Sequence, residues 1–516
     1  PGEVNNSCYA SVVSSVSNRA TMVKIAKHGF HAIPFDVGNA FLRAEMKDVK
    51  VTVTIPPSSR APRSGDNGRR VLKRALYGLP ISPRLWAKKF SHDLTEKLGW
   101  QECKHEPGVY KKVDKSGELV ALMTVYVDDC ILGGCDLATA RRELAAIHAL
   151  HPVTEIATTT DKEGNCTFDM CGSDVTLNPS KRTLSISMSK YATKLLKRFD
   201  MSASKGRSNP AFPEANLYAK SGESSFPYRA CVGALQWLVS QARPDLAHSV
   251  NMLARASSRP VTNSMAKCAR LVMQYLQATK DMTIDYSPQI EAEFVEKVKT
   301  MAEHPDNAKK DPTELENPVH TYSDASFGCV YATLRSVTGA VIYLHGTPIA
   351  WTSKVQSVFA SSTSQSEWIA LSSGIELEQS VYALQDFFAG ETTPRGPLWC
   401  DARSVVISGR KGTDDLESLA VKSRHVALRW AKVLPEAARL WFTTTDMQRA
   451  DGVTKSCNST ALRHLFLNDP KPPPELDDLE DDDDMLDLVD AYVVFAGEQV
   501  RRSALNRDLR TNVFLS

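Results

Sequence analysis

Tyr126-Val127-Asp128-Asp129 lies inside an apolar stretch from Leu122 to Leu132, and it constrains the fold more than any other segment. Ionised side chains are almost never buried unless paired or bound to metal. The apolar flanks must therefore be strands of a hairpin whose bend carries both acids out of the core. Hard oxygen ligands of this kind hold Mg²⁺. A pair of such ions can activate an incoming hydroxyl and steady a leaving pyrophosphate, which is polymerase chemistry.

Such a site needs a third carboxylate from another strand. Ile33-Pro34-Phe35-Asp36-Val37-Gly38-Asn39-Ala40-Phe41-Leu42 supplies Asp36 after an apolar strand entry, with Gly38 permitting a close turn. The Gly/Pro-punctuated Arg74-Ala75-Leu76-Tyr77-Gly78-Leu79-Pro80-Ile81-Ser82-Pro83-Arg84-Leu85-Trp86 then leads into a helix. A second set of acids follows. Tyr322-Ser323-Asp324 reads as a strand ending on aspartate, and Ser361 to Leu371 opens a helix carrying Glu367 behind a run of capping residues. Leu398-Trp399-Cys400-Asp401 is another strand ending on Asp, and Asp451 follows a strand at the far end. Taken singly, each acid reads as a solvated carboxylate; the ordered set at element ends reads as a second metal site.

The first series of motifs resembles the reverse transcriptase of copia-type LTR retrotransposons. Tyr228-Arg229, Val232-Gly233-Ala234-Leu235-Gln236-Trp237-Leu238 and Arg243-Pro244-Asp245 resemble that family's thumb and connection region. The second acid series resembles the RNase H domain of the same Pol polyprotein, and the likeness runs from about Ala20 to Lys455. It implies that Asp36, Asp128 and Asp129 bind two Mg²⁺ (or Mn²⁺), and that Asp324, Glu367, Asp401 and Asp451 bind two more. Phe41 matches the position that excludes a ribose 2′-hydroxyl, and Tyr77, Gly78 and Tyr126 border the nucleotide and template. His425, beside Arg424, matches a basic–His pair, with surface or hybrid contact and a structural role equally open. The family's usual Lys-Gln is replaced here by Pro80-Ile81, and its extra Glu by Gln365. The implied partners are an RNA template, a DNA primer, RNA–DNA hybrid, deoxynucleoside triphosphates and other parts of the polyprotein. The implied setting is intracellular, in a cytoplasmic particle or the nucleus.

The expected architecture is an α+β and α/β multidomain chain. Residues 1–188 form a reverse-transcriptase palm with truncated fingers, and 189–286 a helical thumb and connection. The proline-bearing, charged stretch 287–319 reads as a linker, 320–456 as an RNase H-like mixed sheet flanked by helices, and 457–516 as an acidic tail expected to be disordered. In the helix from Ser189, Tyr191, Leu195 and Phe199 share one stripe while Lys190, Lys194, Lys197 and Arg198 face a phosphate backbone or simply solvent.

The net charge of +2 conceals a tail of −8 after Pro474 and a body of +10, the balance of a nucleic-acid binder carrying a polyanion. Eleven unevenly spaced cysteines read as reduced thiols rather than zinc ligands. A chain opening on Pro1 is expected to be a fragment or processed product, with no signal peptide or membrane span. Two rival expectations are a non-catalytic nucleic-acid-binding relic and a chain in which only the RNase H half works.

Overall fold

The computed structural model describes residues 10, 12–47, 50–56, 68–410, 432–456, 462 and 465–466. Helix α1 (Ser15–Lys27) opens it, capped by Ser14, whose hydroxyl accepts the Ser17 N–H at 3.0 Å. After β1 (His31–Val37) come a ribbon of β2 (Thr52–Thr54) and β3 (Arg69–Val71) and helix α2 (Ser82–His92). Strands β4 (Gln101–Glu102), β5 (Val109–Val113), β6 (Leu119–Tyr126) and β7 (Asp129–Gly134) follow, then α3 (Leu137–Leu150) and β8 (Val153–Glu155). They make a six-stranded sheet in the order β4-β5-β6-β7-β1-β8.

The apolar run of the β6–β7 hairpin is continuous because both faces of the sheet are covered. Leu122 and Ile131 join the core that contains α1, whereas Ala121, Met123, Val125, Cys130 and Leu132 join one containing Trp86 and Phe90 of α2 and Leu144 and Ile147 of α3. Gly133 and Gly134 permit this double approach. A Cβ on Gly133 would stand 2.7 Å from the Ile25 side chain, and one on Gly134 2.6 Å from the Ala140 backbone.

Next come β9 (Thr159–Thr160), β10 (Cys166–Met170), β11 (Ser173–Asn178), β12 (Thr183–Ser187) and α4 (Ser189–Arg198). Helices α5 (Tyr228–Gln241), α6 (Ala247–Ala256) and α7 (Asn263–Ala278) lead to β13 (Thr283–Tyr286) and α8 (Pro288–Ala302). The strands form a second sheet, β13-β12-β11-β10-β9, with Ser187 paired to Thr283. That pairing closes the helical region onto the strands before it, so a division at residue 188 cuts through one folded unit. The 287–319 stretch differs from the expected linker as well. Ser287 caps α8, and Ile290, Phe294, Val298 and Met301 bury one helical face. Three of its four prolines stand in first turns, where the missing N–H costs nothing: Pro288 in α8, Pro305 and Pro312 in short 3₁₀ turns; Pro318 directly precedes β14.

A third sheet holds β14 (Val319–Ser326), β15 (Val337–Leu344), β16 (Thr347–Val355), β17 (Leu398–Cys400) and β18 (Leu440–Phe442). Helices α9 (Thr363–Ala389), α10 (Arg403–Arg410) and α11 (Asp451–Thr454) accompany it. Its order is β16-β15-β14-β17-β18, antiparallel through the first three strands and parallel from β14 to β18.

Helix α1 joins the parts. Arg19, 4% exposed, donates to the carbonyls of Ser240, Gln241 and Ile349 and stacks 4.1 Å from the Trp351 ring centroid. Lys27 Nζ and His345 Nδ1 both reach Glu291, each at 2.7 Å. One apolar cluster accordingly runs from Val13 to Phe466. Among the described residues, no helix is long and apolar enough to cross a membrane.

Candidate active sites

Strand β1 lies between β7 and β8, and its register sets Asp36 directly opposite Asp129. Asp128 occupies the two-residue bend between β6 and β7, and Tyr126 pairs with Asp129 across it. The bend is held from outside. Val127 adopts a φ of +62°, an unusual conformation for a β-branched residue. Its carbonyl accepts the Trp86 indole N–H at 2.7 Å, and the Asp128 carbonyl accepts the Val37 N–H at 3.0 Å. Burial raises the Asp36 carboxyl above its ordinary pKa, with Asp128 adding to it. Asp129 rises for the same first reason, with Asp128, Asp36 and Asp169 contributing.

Phe41 sits in a 3₁₀ turn after β1, its ring centroid 4.7 Å from that of Tyr77. The Tyr77 hydroxyl is raised by burial and by Asp128 and Asp36, which locates it beside the acids. Gly78 has a φ of +91° and open space where a side chain would be, so backbone conformation alone demands glycine there. Leu76, Tyr77 and Tyr126 are exposed apolar or aromatic groups around this bend.

The second cluster is tighter. Asp324 is on β14 opposite Gly339, Glu367 on the second turn of α9, Asp401 immediately after β17 and Asp451 at the first residue of α11. Carboxylate oxygens of Asp324, Asp401 and Asp451 lie within 4.8 Å of one another, and Glu367 and Asp401 lie as close to each other. Asp401 is thus common to two candidate cages. The Asp36–Asp128–Asp129 trio is more open and does not meet that mutual distance.

Asp324, Glu367 and Asp451 are 3%, 7% and 7% exposed. Burial pushes Asp324 up to about 7, with Asp401 and Asp451 raising it and Lys455 opposing. Burial pushes Glu367 up to about 9, helped by Asp324 and Asp401. Lys455 Nζ stands 2.9 Å from Asp451 Oδ1 and 3.8 Å from Asp324 Oδ2. Asp324 Oδ2 and Glu367 Oε2 have no hydrogen-bond donor among the described residues. Buried acceptors without donors, gathered with like charges, fit a divalent cation. Cys400 lies in the same corner, where burial holds its thiol well above the ordinary range.

The Gln365 side-chain oxygen accepts from the Ser361 N–H and hydroxyl, both at 2.6 Å, while Ser362 caps α9. It serves the helix start, and Glu367 turns toward the acids.

Of the basic stripe on α4, Lys190 bonds Asp174, while Lys194, Lys197 and Arg198 are exposed; Ala192, Leu195 and Leu196 form the buried face, with Tyr191 and Phe199 half-buried beside it. His425 and the acidic tail lie outside the described residues. Cys130 is buried, Cys166 and Cys171 are half-buried and Cys135 is exposed, all as free thiols.

Sequence reasoning missed Trp86 as the support of the bend, Lys455 as counter-ion, and Arg449, which is enclosed by Phe294, Tyr322 and Tyr343 at 5.2–5.7 Å beneath the second cluster. Lys455 could have been found, since it stands four residues after Asp451 on the same helical side. Nothing local marked the other two.

Residues 2–213 match the family described as reverse transcriptase (RNA-dependent DNA polymerase). The chain is similar to Pol polyproteins of copia-type retrotransposons over 90% of its length. Retrovirus-related Pol polyproteins from transposons RE2 and RE1 of Arabidopsis thaliana are each 25% identical over 90% of this chain and 29% of their own length. That from transposon TNT 1-94 of Nicotiana tabacum is 22% identical over 87% of this chain and 31% of its own. The chain therefore spans less than a third of these relatives. A structure of telomerase from Candida albicans with a telomeric RNA fragment covers 59% of this chain and 55% of its own, at 11% identity and a TM-score of 0.20, too low to carry an argument.

Proposed function

We propose that the chain is an RNA-directed DNA polymerase with an attached ribonuclease H, each centre using a pair of divalent ions, Mg²⁺ foremost. In this reading the first sheet with α2 and α3 is the palm, the β2–β3 ribbon a remnant of the fingers, the helices α4–α7 the thumb and connection, and β14–α11 the RNase H-like unit. The observation that carries the polymerase half is the register of β1 on β7, which makes Asp36 the neighbour of Asp129 across 92 intervening residues. The observation behind the nuclease half is the meeting of four acids from four separate elements.

In the first centre, Asp36, Asp128 and Asp129 would hold the ions. Ions held there would supply the Lewis acidity that activates a primer 3′-hydroxyl and the charge that offsets a departing pyrophosphate. The protein's own contribution is positioning. The Trp86 and Val37 bonds fix the bend, Phe41 and Tyr77 wall the sugar side of the nucleotide, and the exposed Tyr126 and Leu76 offer surfaces for bases. In the second centre, Asp324, Glu367, Asp401 and Asp451 would hold the ions that activate water against the RNA strand of a hybrid. Lys455 steadies the acids before ions arrive.

The tighter geometry of the second cluster favours one rival, a chain that cleaves hybrid without extending primers. Extension of oligo(dT) on poly(rA), run beside cleavage of a labelled RNA–DNA hybrid, separates the readings. Extension lost in Asp128→Asn and cleavage lost in Asp324→Asn supports the double activity. Cleavage without extension in the unmodified chain supports the rival, and neither activity overturns both.

A further inference from the structure

A cavity of about 500 Å³ opens beside the second acid cluster, between the 207–214 segment, α6 and the end of β14. Its wall carries Arg207, Glu214, His248, Arg255 and Lys455, with the Phe212 ring on the apolar side. Lys455 belongs to both places, because the same ammonium stands 2.9 Å from Asp451.

The wall holds more donors than acceptors. His248 is 7% exposed, and among the described residues neither its Nδ1 nor Arg255 Nε has a hydrogen-bond partner. Burial depresses the His248 imidazole to about 3, so it is neutral and can donate from Nδ1 in one tautomer. Glu214 answers one cation only: its Oε1 is 3.2 Å from Arg255 Nη1, and its other oxygen accepts the Tyr331 N–H at 3.2 Å. Arg207 is anchored on the carbonyls of Asn209 and Ala211 at 3.4 and 3.3 Å, which leaves its charge uncompensated by those contacts. Unmatched buried nitrogens around an open volume cost free energy unless an acceptor enters.

We propose that this cavity is an anion subsite that takes a phosphodiester group of the nucleic-acid strand crossing the second acid cluster. The proposal rests on the hydrolytic reading of that cluster. The volume exceeds that of a lone phosphate, and the Phe212 side suits a sugar arriving with it. Lys455 spans the boundary, so one strand can meet the acids and the cavity together. Residues 207–255, from outside the third sheet, thereby become part of the nuclease's substrate grip.

The test measures binding of a fluorescein-labelled RNA–DNA hybrid to the full chain by anisotropy, with Ca²⁺ replacing Mg²⁺ to prevent turnover, over a salt series. Arg207→Gln should weaken binding about 5–10-fold and lower the slope of log affinity against log salt by about 0.9, the value for one phosphate contact. Arg207→Lys, which keeps the charge, should recover most of the slope, separating a lost contact from a folding defect. Lys115→Gln, in an exposed turn, removes the same charge elsewhere and should change neither quantity. Unchanged affinity and slope in Arg207→Gln would overturn the proposal, as would equal losses in Lys115→Gln. Inorganic phosphate gives a third arm. If its ³¹P signal broadens with the unmodified chain and not with Arg207→Gln, while hybrid binding is unaffected, the cavity takes free anions and the strand assignment falls. A chain that binds hybrid as described but never cleaves it in Mg²⁺ would refute the hydrolytic reading and leave the subsite standing.

Discussion

Replacing Asp324 with asparagine should make the metal-free protein more stable at pH 8 while removing the proposed nuclease activity. Asp324 is 3% exposed and shares its corner with Asp401, Asp451 and Glu367. Between 3.8 and about 7 the folded state keeps a proton that the unfolded chain has released. The native protein therefore binds more protons than the unfolded one in that window, and stability falls as pH rises through it. A carboxyl moved from 3.8 to about 7 corresponds to about 4 kcal/mol above pH 7. Lys455 loses part of its partner in the variant, which reduces the net gain to about 1–3 kcal/mol. Thermal unfolding in EDTA at a series of pH values measures it. The variant should melt above the unmodified protein at pH 8, and the two should converge near pH 4. Added Mg²⁺ should raise the melting temperature of the unmodified chain more than that of Asp324→Asn, because only the former retains the full donor set. A variant less stable at pH 8, or a difference independent of pH, would refute the view that these acids are held together against their mutual repulsion for an ion.

Glu291 is held down to about 2, burial being outweighed by His345 and Lys27. The stability it contributes is complete above pH 4.5 and lost as pH falls toward 2, so Glu291→Gln should cost about 1–2 kcal/mol at pH 7 after allowance for partial solvent screening; tryptophan fluorescence against pH should show the acid transition moved upward. Gly339→Ala places a Cβ 2.0 Å from Thr454 Oγ1, which must displace α11 and the Asp451 it carries. Hybrid cleavage should fall at least tenfold and stability by about 1–3 kcal/mol, as overpacking usually costs, measured by cleavage rate and urea unfolding. Trp86→Phe keeps an aromatic ring but removes the donor to the Val127 carbonyl together with part of the buried indole volume, so primer extension should fall while hybrid cleavage serves as internal control. Equal loss of both activities would instead indicate a general folding defect.

Much of the site was legible because chemistry restricts which residues can serve. Asp36 and Asp129 are polar groups in apolar strands and Asp128 sits in the bend between two of them, and a period-two pattern fixes which face each strand neighbour takes. Asp401 and Asp451 stand at the ends of elements and Asp324 two residues before the end of β14, so the order of the acids along the chain is readable although two of them are buried. Residues 287 to 319 read as a tether from their proline content, whereas the positions of three of the prolines make them helix and turn starts. At the first turn of α8 a proline starts a helix, and only the packed face of Ile290, Phe294, Val298 and Met301 reveals that it continues.

The sequence by itself determined the local elements, the two sets of acids and their order, because hydrophobic period and charge placement act over a few residues. Only the tertiary structure decided that Ser187 pairs with Thr283 and that Arg19 binds carbonyls more than 200 residues away. It alone also set Trp86 beneath Val127 and raised Asp324 and Glu367 above their ordinary range. Contacts at that separation leave no periodic trace along the chain. Proton affinity depends on burial and on neighbouring charges, and both arise only when the elements meet.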